Sequence, residues 1–118
     1  MRPRLAPIMV AALLLAGCGE SRAPAPGDRE NGRLLLRQFG CGSCHRIPGV
    51  AAAQGEVGPP LTKMAERAYL GGVLPNTPEN MALFIRDPRR FDPRTTMPAL
   101  GVTEAHARDM VAYLQEAK

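Results

Sequence analysis

Residues 41–45 read Cys-Gly-Ser-Cys-His, and this short stretch is the most informative part of the chain. Two thiols at this spacing can each add across a vinyl group of a porphyrin, and the histidine that follows them can bind the iron. A thioredoxin-like redox pair would need a βαβ unit around it, and a zinc site would need a second pair of ligands. Because Cys18 is the only other cysteine, we predict that Cys41 and Cys44 attach haem c and that His45 is an axial ligand.

The N-terminal segment has the pattern of a bacterial export signal. Arg2 and Arg4 precede an apolar run at residues 8–16, which is shorter than the roughly 20 residues that a transmembrane helix needs. The sequence Leu-Ala-Gly-Cys, which ends at Cys18, is similar to a bacterial lipobox. We therefore expect residues 1–17 to be a lipoprotein signal peptide and Cys18 to carry lipid on the periplasmic side of a bacterial membrane. The alternative is an ordinary signal peptide, which would leave Cys18 as a free thiol in an oxidising compartment.

The charge and composition of residues 18–118 indicate a small, nearly neutral domain. The chain has 15 Lys and Arg residues against 11 Asp and Glu residues, and removal of residues 1–17 takes away two arginines, which leaves a net charge of +2. Basic residues are not interleaved with aromatic ones, so we expect no nucleic-acid partner. Residues 18–27 contain two prolines and no apolar periodicity, which predicts a flexible tether. Residues 28–118 then form one domain.

The domain begins with a pattern that is typical of an amphipathic helix. Asp28 is a good N-cap, and the residues that follow it on one helical face are Gly32, Leu35, Leu36 and Phe39. A glycine in the middle of a helix costs about 0.5 to 1 kcal/mol relative to alanine. Gly32 therefore indicates a place where a second helix crosses closely.

Three further segments have apolar residues at helical spacing, at residues 62–70, 78–87 and 104–117. No stretch alternates as a strand, so we predict an all-α fold of four to five short helices. Aromatic residues make up only 4% of the chain, and a domain of this size buries little apolar surface by itself. We therefore expect the helices to wrap around one covalent haem that fills the core.

The second axial ligand is expected on an irregular segment that the scaffold braces. Met97 lies in such a loop and is followed by Pro98, so we predict that its thioether binds the iron. His106, in the first turn of the last predicted helix, is the alternative ligand. The other methionines of the domain fall within helical apolar patterns and are expected to pack in the core; these are Met64, Met81 and Met110.

The order of these features resembles the class I cytochrome c family over residues 28–118. The features are a first helix, Cys-x-x-Cys-His, Gly-Pro-Pro-Leu at residues 58–61, middle helices, a Met-Pro loop and a final helix. Residues 58–100 are also similar to bacterial monohaem cytochromes c that serve membrane respiratory oxidases. The resemblance implies the cytochrome c fold.

The resemblance also implies roles for individual residues. Cys41 and Cys44 would form the thioethers, with His45 as the proximal ligand and Met97 as the distal one. The carbonyl of Pro59 would accept the proton on His45 Nδ1, which orients the imidazole. Leu61 would pack on the face of the haem, and Gly32 and Leu36 would meet the C-terminal helix near Tyr113. Arg67 and Tyr69 are candidates for contact with the haem propionates, or else ordinary surface residues.

A haem closed by histidine and methionine leaves no position for a small-molecule substrate, which indicates a single-electron carrier and not an enzyme. We expect it to shuttle electrons between a quinol-oxidising complex and a terminal oxidase. Two alternatives remain, a haem enzyme or gas sensor in which Met97 is labile, and a fixed haem subunit of a larger oxidoreductase. Four arginines precede Met97 and could present a positive rim to an acidic partner or could simply be solvated; they are Arg86, Arg89, Arg90 and Arg94.

Overall fold

The structure, a computed structural model, describes residues 26–118. The predicted signal peptide, Cys18 and most of the predicted tether lie outside the described residues. The regular elements, in chain order, are α1 (Arg29–Gln38), β1 (Tyr69–Leu70), β2 (Leu74–Pro75), α2 (Pro78–Arg86) and α3 (Glu104–Leu114). Single 3-10 turns at Cys41–Ser43, Met64–Glu66 and Pro88–Arg90 complete them. Within this range, no helix is both long enough and apolar enough to cross a bilayer.

The first helix begins where its capping residue predicts. The Asp28 carboxylate accepts a hydrogen bond from the backbone N–H of Asn31 at 2.9 Å, which satisfies one of the free donors of the first turn. Gly32, Leu35 and Leu36 are buried on one face. The predicted amphipathic helix is therefore confirmed.

α1 and α3 cross in close backbone contact at Gly32. A Cβ atom built on Gly32 would collide with the carbonyl oxygen of Asp109, so no residue with a side chain fits without moving one helix. The Asp109 carboxylate accepts hydrogen bonds from the Asp28 backbone N–H and from Asn31 Nδ2, both at 2.7 Å. The predicted crossing is confirmed, but it is centred on Asp109 and not on Tyr113, whose hydroxyl donates to the carbonyl of Pro48 at 2.5 Å.

The prediction of a helix at residues 62–70 is wrong. Only the turn Met64–Glu66 forms, because Lys63 has a left-handed backbone (φ 51°) and because a distant side chain binds the carbonyls that a helix would use. Asn76 Nδ2 donates to the carbonyls of Met64 and Arg67 at 2.7 and 2.8 Å. The chain then turns into a small antiparallel pair of strands, β1 and β2, in which Leu70 pairs with Leu74. The prediction that no strand is present was therefore also wrong.

The two remaining helices begin at the predicted residues and end early. The Thr77 hydroxyl accepts from the Asn80 backbone N–H at 3.1 Å, and the Thr103 hydroxyl accepts from the His106 backbone N–H at 3.1 Å. α2 ends one residue before the predicted end because Pro88 follows Asp87. α3 ends at Leu114, and the carbonyl of Ala117 instead accepts from the Lys63 backbone N–H at 3.2 Å.

The core lies between α1, α3 and the loop that follows the cysteine pair. Its buried members on the helices are Leu35, Leu36, Met81, Ala107, Met110, Val111, Tyr113 and Leu114, and those in the loop are Ile47, Val50 and Ala53. Methionine and small aliphatic side chains supply most of this packing, as the low aromatic content requires. One side of the core is open and forms the wall of a large cavity.

Candidate haem site

One cavity of about 380 Å³ is lined by every residue that the sequence predicts at the cofactor. These residues are Cys41, Cys44, His45, Pro59, Leu61, Arg67, Tyr69 and Met97. They come from four separate parts of the chain, and the fold brings them around a single space. The helices contribute its inner wall through apolar side chains such as Leu36, Met81 and Leu114.

The cysteine pair lies on a tight turn at the end of α1. Gly40 adopts a left-handed backbone (φ 71°) and ends the helix, and the His45 backbone N–H then donates to the carbonyl of Cys41 at 3.0 Å. The turn is held against Ala53, since a Cβ atom on Gly42 would lie 2.6 Å from Ala53 Cα. The two cysteines form no disulfide among the described residues, so both thiols are available for attachment. Before attachment, burial raises the pKa of the Cys41 thiol.

The His45 ring is held from two sides. Its Nδ1 lies 2.7 Å from the carbonyl oxygen of Pro59. Because a carbonyl can only accept, Nδ1 carries the proton and Nε2 is left with a lone pair for a metal. On the other side, a Cβ atom on Gly58 would collide with the ring carbon Cε1 of His45. The Gly58 backbone N–H also donates to the carbonyl of Cys44 at 2.7 Å, so the ring and the attachment turn are held together.

The positioning role of Gly58 was not predicted from the sequence. The signal for it was present, because Gly58 precedes the two prolines of the Gly-Pro-Pro-Leu stretch. A glycine next to a rigid proline segment often permits a close approach of the backbone to another group. Which group it approaches, the His45 ring, depends on the tertiary fold.

The Met97 loop forms the part of the cavity wall that comes from the segment before α3. The Met97 backbone N–H donates to the Thr95 hydroxyl at 3.2 Å, and the Met97 side chain is half-buried in the wall. Met64 and Met81 also line the cavity but are buried in the core, and Met110 is buried away from it. The loop position of Met97 is the one that the sequence predicts for an axial ligand.

His106, the alternative ligand, is not among the residues that line the cavity. Its ring instead packs edge-on against Phe39, with 5.9 Å between the ring centroids. His106 Nδ1 is buried with no hydrogen-bond partner among the described residues. The geometry therefore favours Met97 over His106.

Arg67 and Tyr69 also line the cavity. The Arg67 guanidinium donates to the carbonyls of Pro60 and Thr62, the latter at 3.1 Å, so part of its hydrogen-bonding capacity holds the loop that carries Pro59. Tyr69 is 59% exposed. Both side chains line the cavity, so they stay candidates for contact with the haem propionates.

The site fits a haem. Its wall is largely apolar, and it places two thiols, an imidazole and a thioether around one space, the donor set that a covalently attached haem requires. Across residues 26–118, no three His, Cys, Asp or Glu side chains come together as a separate metal site. A zinc site at the cysteine pair would need such a group.

Comparison with known proteins gives the same assignment. A family model described as "Cytochrome c" matches residues 29–118. The chain belongs to the cytochrome c family. Its structure is similar to that of cytochrome c2 from Rhodobacter sphaeroides, with a TM-score of 0.53 and 20% sequence identity over 77% of this chain and 96% of that one. The protein is thus a class I cytochrome c with the fold predicted from its sequence, and it carries one covalent haem c.

A second relative of this cytochrome c is a longer protein. The cytochrome c oxidase subunit 2 of Alkalihalophilus pseudofirmus is 31% identical over 100 residues, which cover 84% of this chain. The same match covers only 28% of the length of that oxidase subunit. The similarity is therefore to one part of the relative.

The chemistry that haem supplies in this cytochrome c is a one-electron change between ferric and ferrous iron. The residues of the chain have other tasks. Cys41 and Cys44 would hold the haem, and Pro59 and Gly58 orient the His45 ring. The apolar wall of the cavity would exclude water from the haem. A site that moves little between the two oxidation states has a small reorganisation energy for electron transfer. The His45 ring, held by Pro59 and Gly58, moves little in this sense.

Proposed function

We propose that this protein is a membrane-tethered electron carrier that delivers single electrons to a terminal oxidase of a respiratory chain. The observation that carries the proposal is the presence of His45 and Met97 around one cavity. With an imidazole and a thioether as axial ligands, the iron has no open position for a substrate, and the thioether raises the reduction potential. Such a centre exchanges electrons and does not transform molecules.

The oxidase as acceptor is supported by the relative from Alkalihalophilus pseudofirmus, whose printed name is cytochrome c oxidase subunit 2. We infer that this protein also takes part in the delivery of electrons to an oxidase, because it is 31% identical to one part of that subunit. A quinol-oxidising complex would then be the donor.

Charge on the surface supports an acidic partner. Among the described residues, Arg89 and Arg94 have no carboxylate within 4.0 Å, whereas Arg29, Arg33 and Arg46 are each ion-paired. Unpaired guanidinium groups on one segment attract an acidic surface and raise the rate of association, an effect that salt screens.

The proposed electron transfer is tested by mixing the reduced holoprotein with membranes that contain a terminal oxidase and following haem oxidation. We expect rapid oxidation that an oxidase inhibitor abolishes. The double variant Arg89→Gln and Arg94→Gln is expected to react several-fold more slowly at low salt and at the same rate as wild type at high salt. Arg37→Gln, which removes a charge from α1, is the control. Persistent reduction of the haem in the presence of active oxidase would contradict the proposal.

The tether is tested through Cys18, which is expected to carry the lipid. We expect the wild-type protein to sediment with membranes and to be released by detergent, because a lipidated cysteine is a stable anchor when it carries more than one acyl chain. The Cys18→Ala variant is expected in the soluble periplasmic fraction if it is exported. Equal membrane association of the two proteins would show that Cys18 is not the anchor.

The alternative of a fixed haem subunit is favoured by one observation, the match to part of a larger oxidase subunit. It predicts that mild detergent releases the protein only within a stable complex of constant composition. The carrier predicts release as a separate protein.

A further inference from the structure

A second, smaller cavity shares a wall with the haem cavity. It has a volume of about 270 Å³ and is lined by Leu83, Arg86, Asp87, Arg90 and Val102. Val102 is 6% exposed and also lines the haem cavity. The buried Val102 side chain therefore belongs to the walls of both spaces.

The charged groups of this smaller cavity do not neutralise one another. Neither Arg86 nor Arg90 lies within 4.0 Å of a carboxylate in the described part of the chain, although the adjacent Asp87 faces the same cavity. The Arg90 guanidinium lies 5.5 Å from the centre of the Phe91 ring, and that ring stacks on Phe84 with 6.2 Å between centroids. This contact holds one of the two guanidinium groups in place.

We propose that this cavity binds inorganic phosphate, which retains at least one proton at neutral pH. Guanidinium groups match phosphate oxygens in pairs of parallel hydrogen bonds, and Arg86 and Arg90 supply two of them. Asp87 can only accept, and the carbonyl end of α2 adds partial negative charge. The Asp87 carboxylate and the end of α2 both disfavour a fully ionised anion. They suit a ligand whose P–OH donates a hydrogen bond to the Asp87 carboxylate.

Binding at this place would be coupled to the oxidation state of the haem. A negative charge bound on the far side of Val102 stabilises the ferric form, which carries one more positive charge than the ferrous form. By reciprocity, the ferric protein binds phosphate more tightly, by about tenfold. Saturation with phosphate then lowers the reduction potential by about 59 mV, the value of a tenfold ratio for a one-electron couple.

The test is calorimetric titration of the ferric and the ferrous holoprotein with inorganic phosphate at constant ionic strength, together with the reduction potential as a function of phosphate. We expect saturable binding that is weakened at least about tenfold by Arg86→Gln or Arg90→Gln and unchanged by Arg37→Gln. Sulfate, which has no proton to donate, is expected to bind more weakly than phosphate, and Asp87→Asn is expected to remove that preference.

Three results would overturn the proposal. The first is a potential that falls with added phosphate without saturation and by the same amount in Arg86→Gln as in the wild type, which would be general screening. The second is equal affinity for sulfate and phosphate in the wild type. The third is binding to phosphatidylglycerol vesicles without binding to inorganic phosphate, because the lipid diester has no P–OH and this result would assign the arginines to the membrane surface. None of these readouts depends on which proteins exchange electrons with the haem.

Discussion

Replacement of both Cys41 and Cys44 by serine is expected to abolish haem attachment and, with it, the folded domain. The two thiols are the only covalent links that the site offers in residues 26–118. Without the haem, an apolar cavity of about 380 Å³ is left to collapse or to fill with water. At about 24 cal/mol per Å³, an unfilled cavity of that size costs on the order of 9 kcal/mol, which is comparable with the entire stability of a small domain, about 5 to 15 kcal/mol.

The measurement is the covalently bound haem of the purified protein, together with its circular dichroism and thermal transition. We expect the double variant to lack the absorbance of haem c and to show no cooperative unfolding transition. Ser43→Ala is the matched control, because Ser43 lies between the two cysteines and is exposed; it is expected to bind haem and unfold like the wild type. A colourless double variant that still unfolds cooperatively at the wild-type temperature would contradict the idea that the haem completes the core.

Gly32→Ala is expected to destabilise the holoprotein by about 3 kcal/mol or more. The added Cβ would collide with the carbonyl oxygen of Asp109, and a backbone atom cannot rotate away as a side chain can. α1 and α3 would have to separate, which would weaken the hydrogen bonds from Asp28 and Asn31 to the Asp109 carboxylate. For a domain of this size, such a loss lowers the Tm by more than about 12 °C.

Thermal unfolding of the holoprotein, followed by circular dichroism, checks this prediction. Leu34→Ala on the same helix is the control, because Leu34 is 48% exposed and its truncation removes little buried surface; a shift of a few degrees at most is expected. If Gly32→Ala and Leu34→Ala have the same Tm, the close crossing does not contribute to stability as described.

The parts of the fold that follow from local chemistry could be predicted from the sequence. Asp28, Thr77 and Thr103 each cap the helix that follows them, because a side-chain oxygen there reaches a backbone N–H only two or three residues away. The site was predictable for a related reason. The Cys-x-x-Cys-His stretch sets its chemistry, and the loop position of Met97 indicates the second ligand. The roles of Pro59 and Leu61 were implied by resemblance to a family whose motifs run the length of the domain.

The parts that depend on distant contacts could not be predicted in this way. Residues 62–70 have helical spacing, but Asn76 binds the carbonyls of Met64 and Arg67 from outside the segment, and this contact outweighs the weak preference of a short helix. The role of Gly58 likewise requires knowledge of where the His45 ring lies. The same holds for Val102, whose sequence position gives no sign that it lines two cavities.

The ligand set is the central claim, since the function depends on an iron with no open position. The most direct test is the addition of carbon monoxide to the ferrous holoprotein at neutral pH, beside the variant Met97→Ala. If His45 and Met97 are the axial ligands, the spectrum of the wild type stays unchanged, and the variant binds carbon monoxide at the vacated position. A wild-type protein that binds carbon monoxide as readily as Met97→Ala would contradict the account and would favour a gas sensor or a haem enzyme.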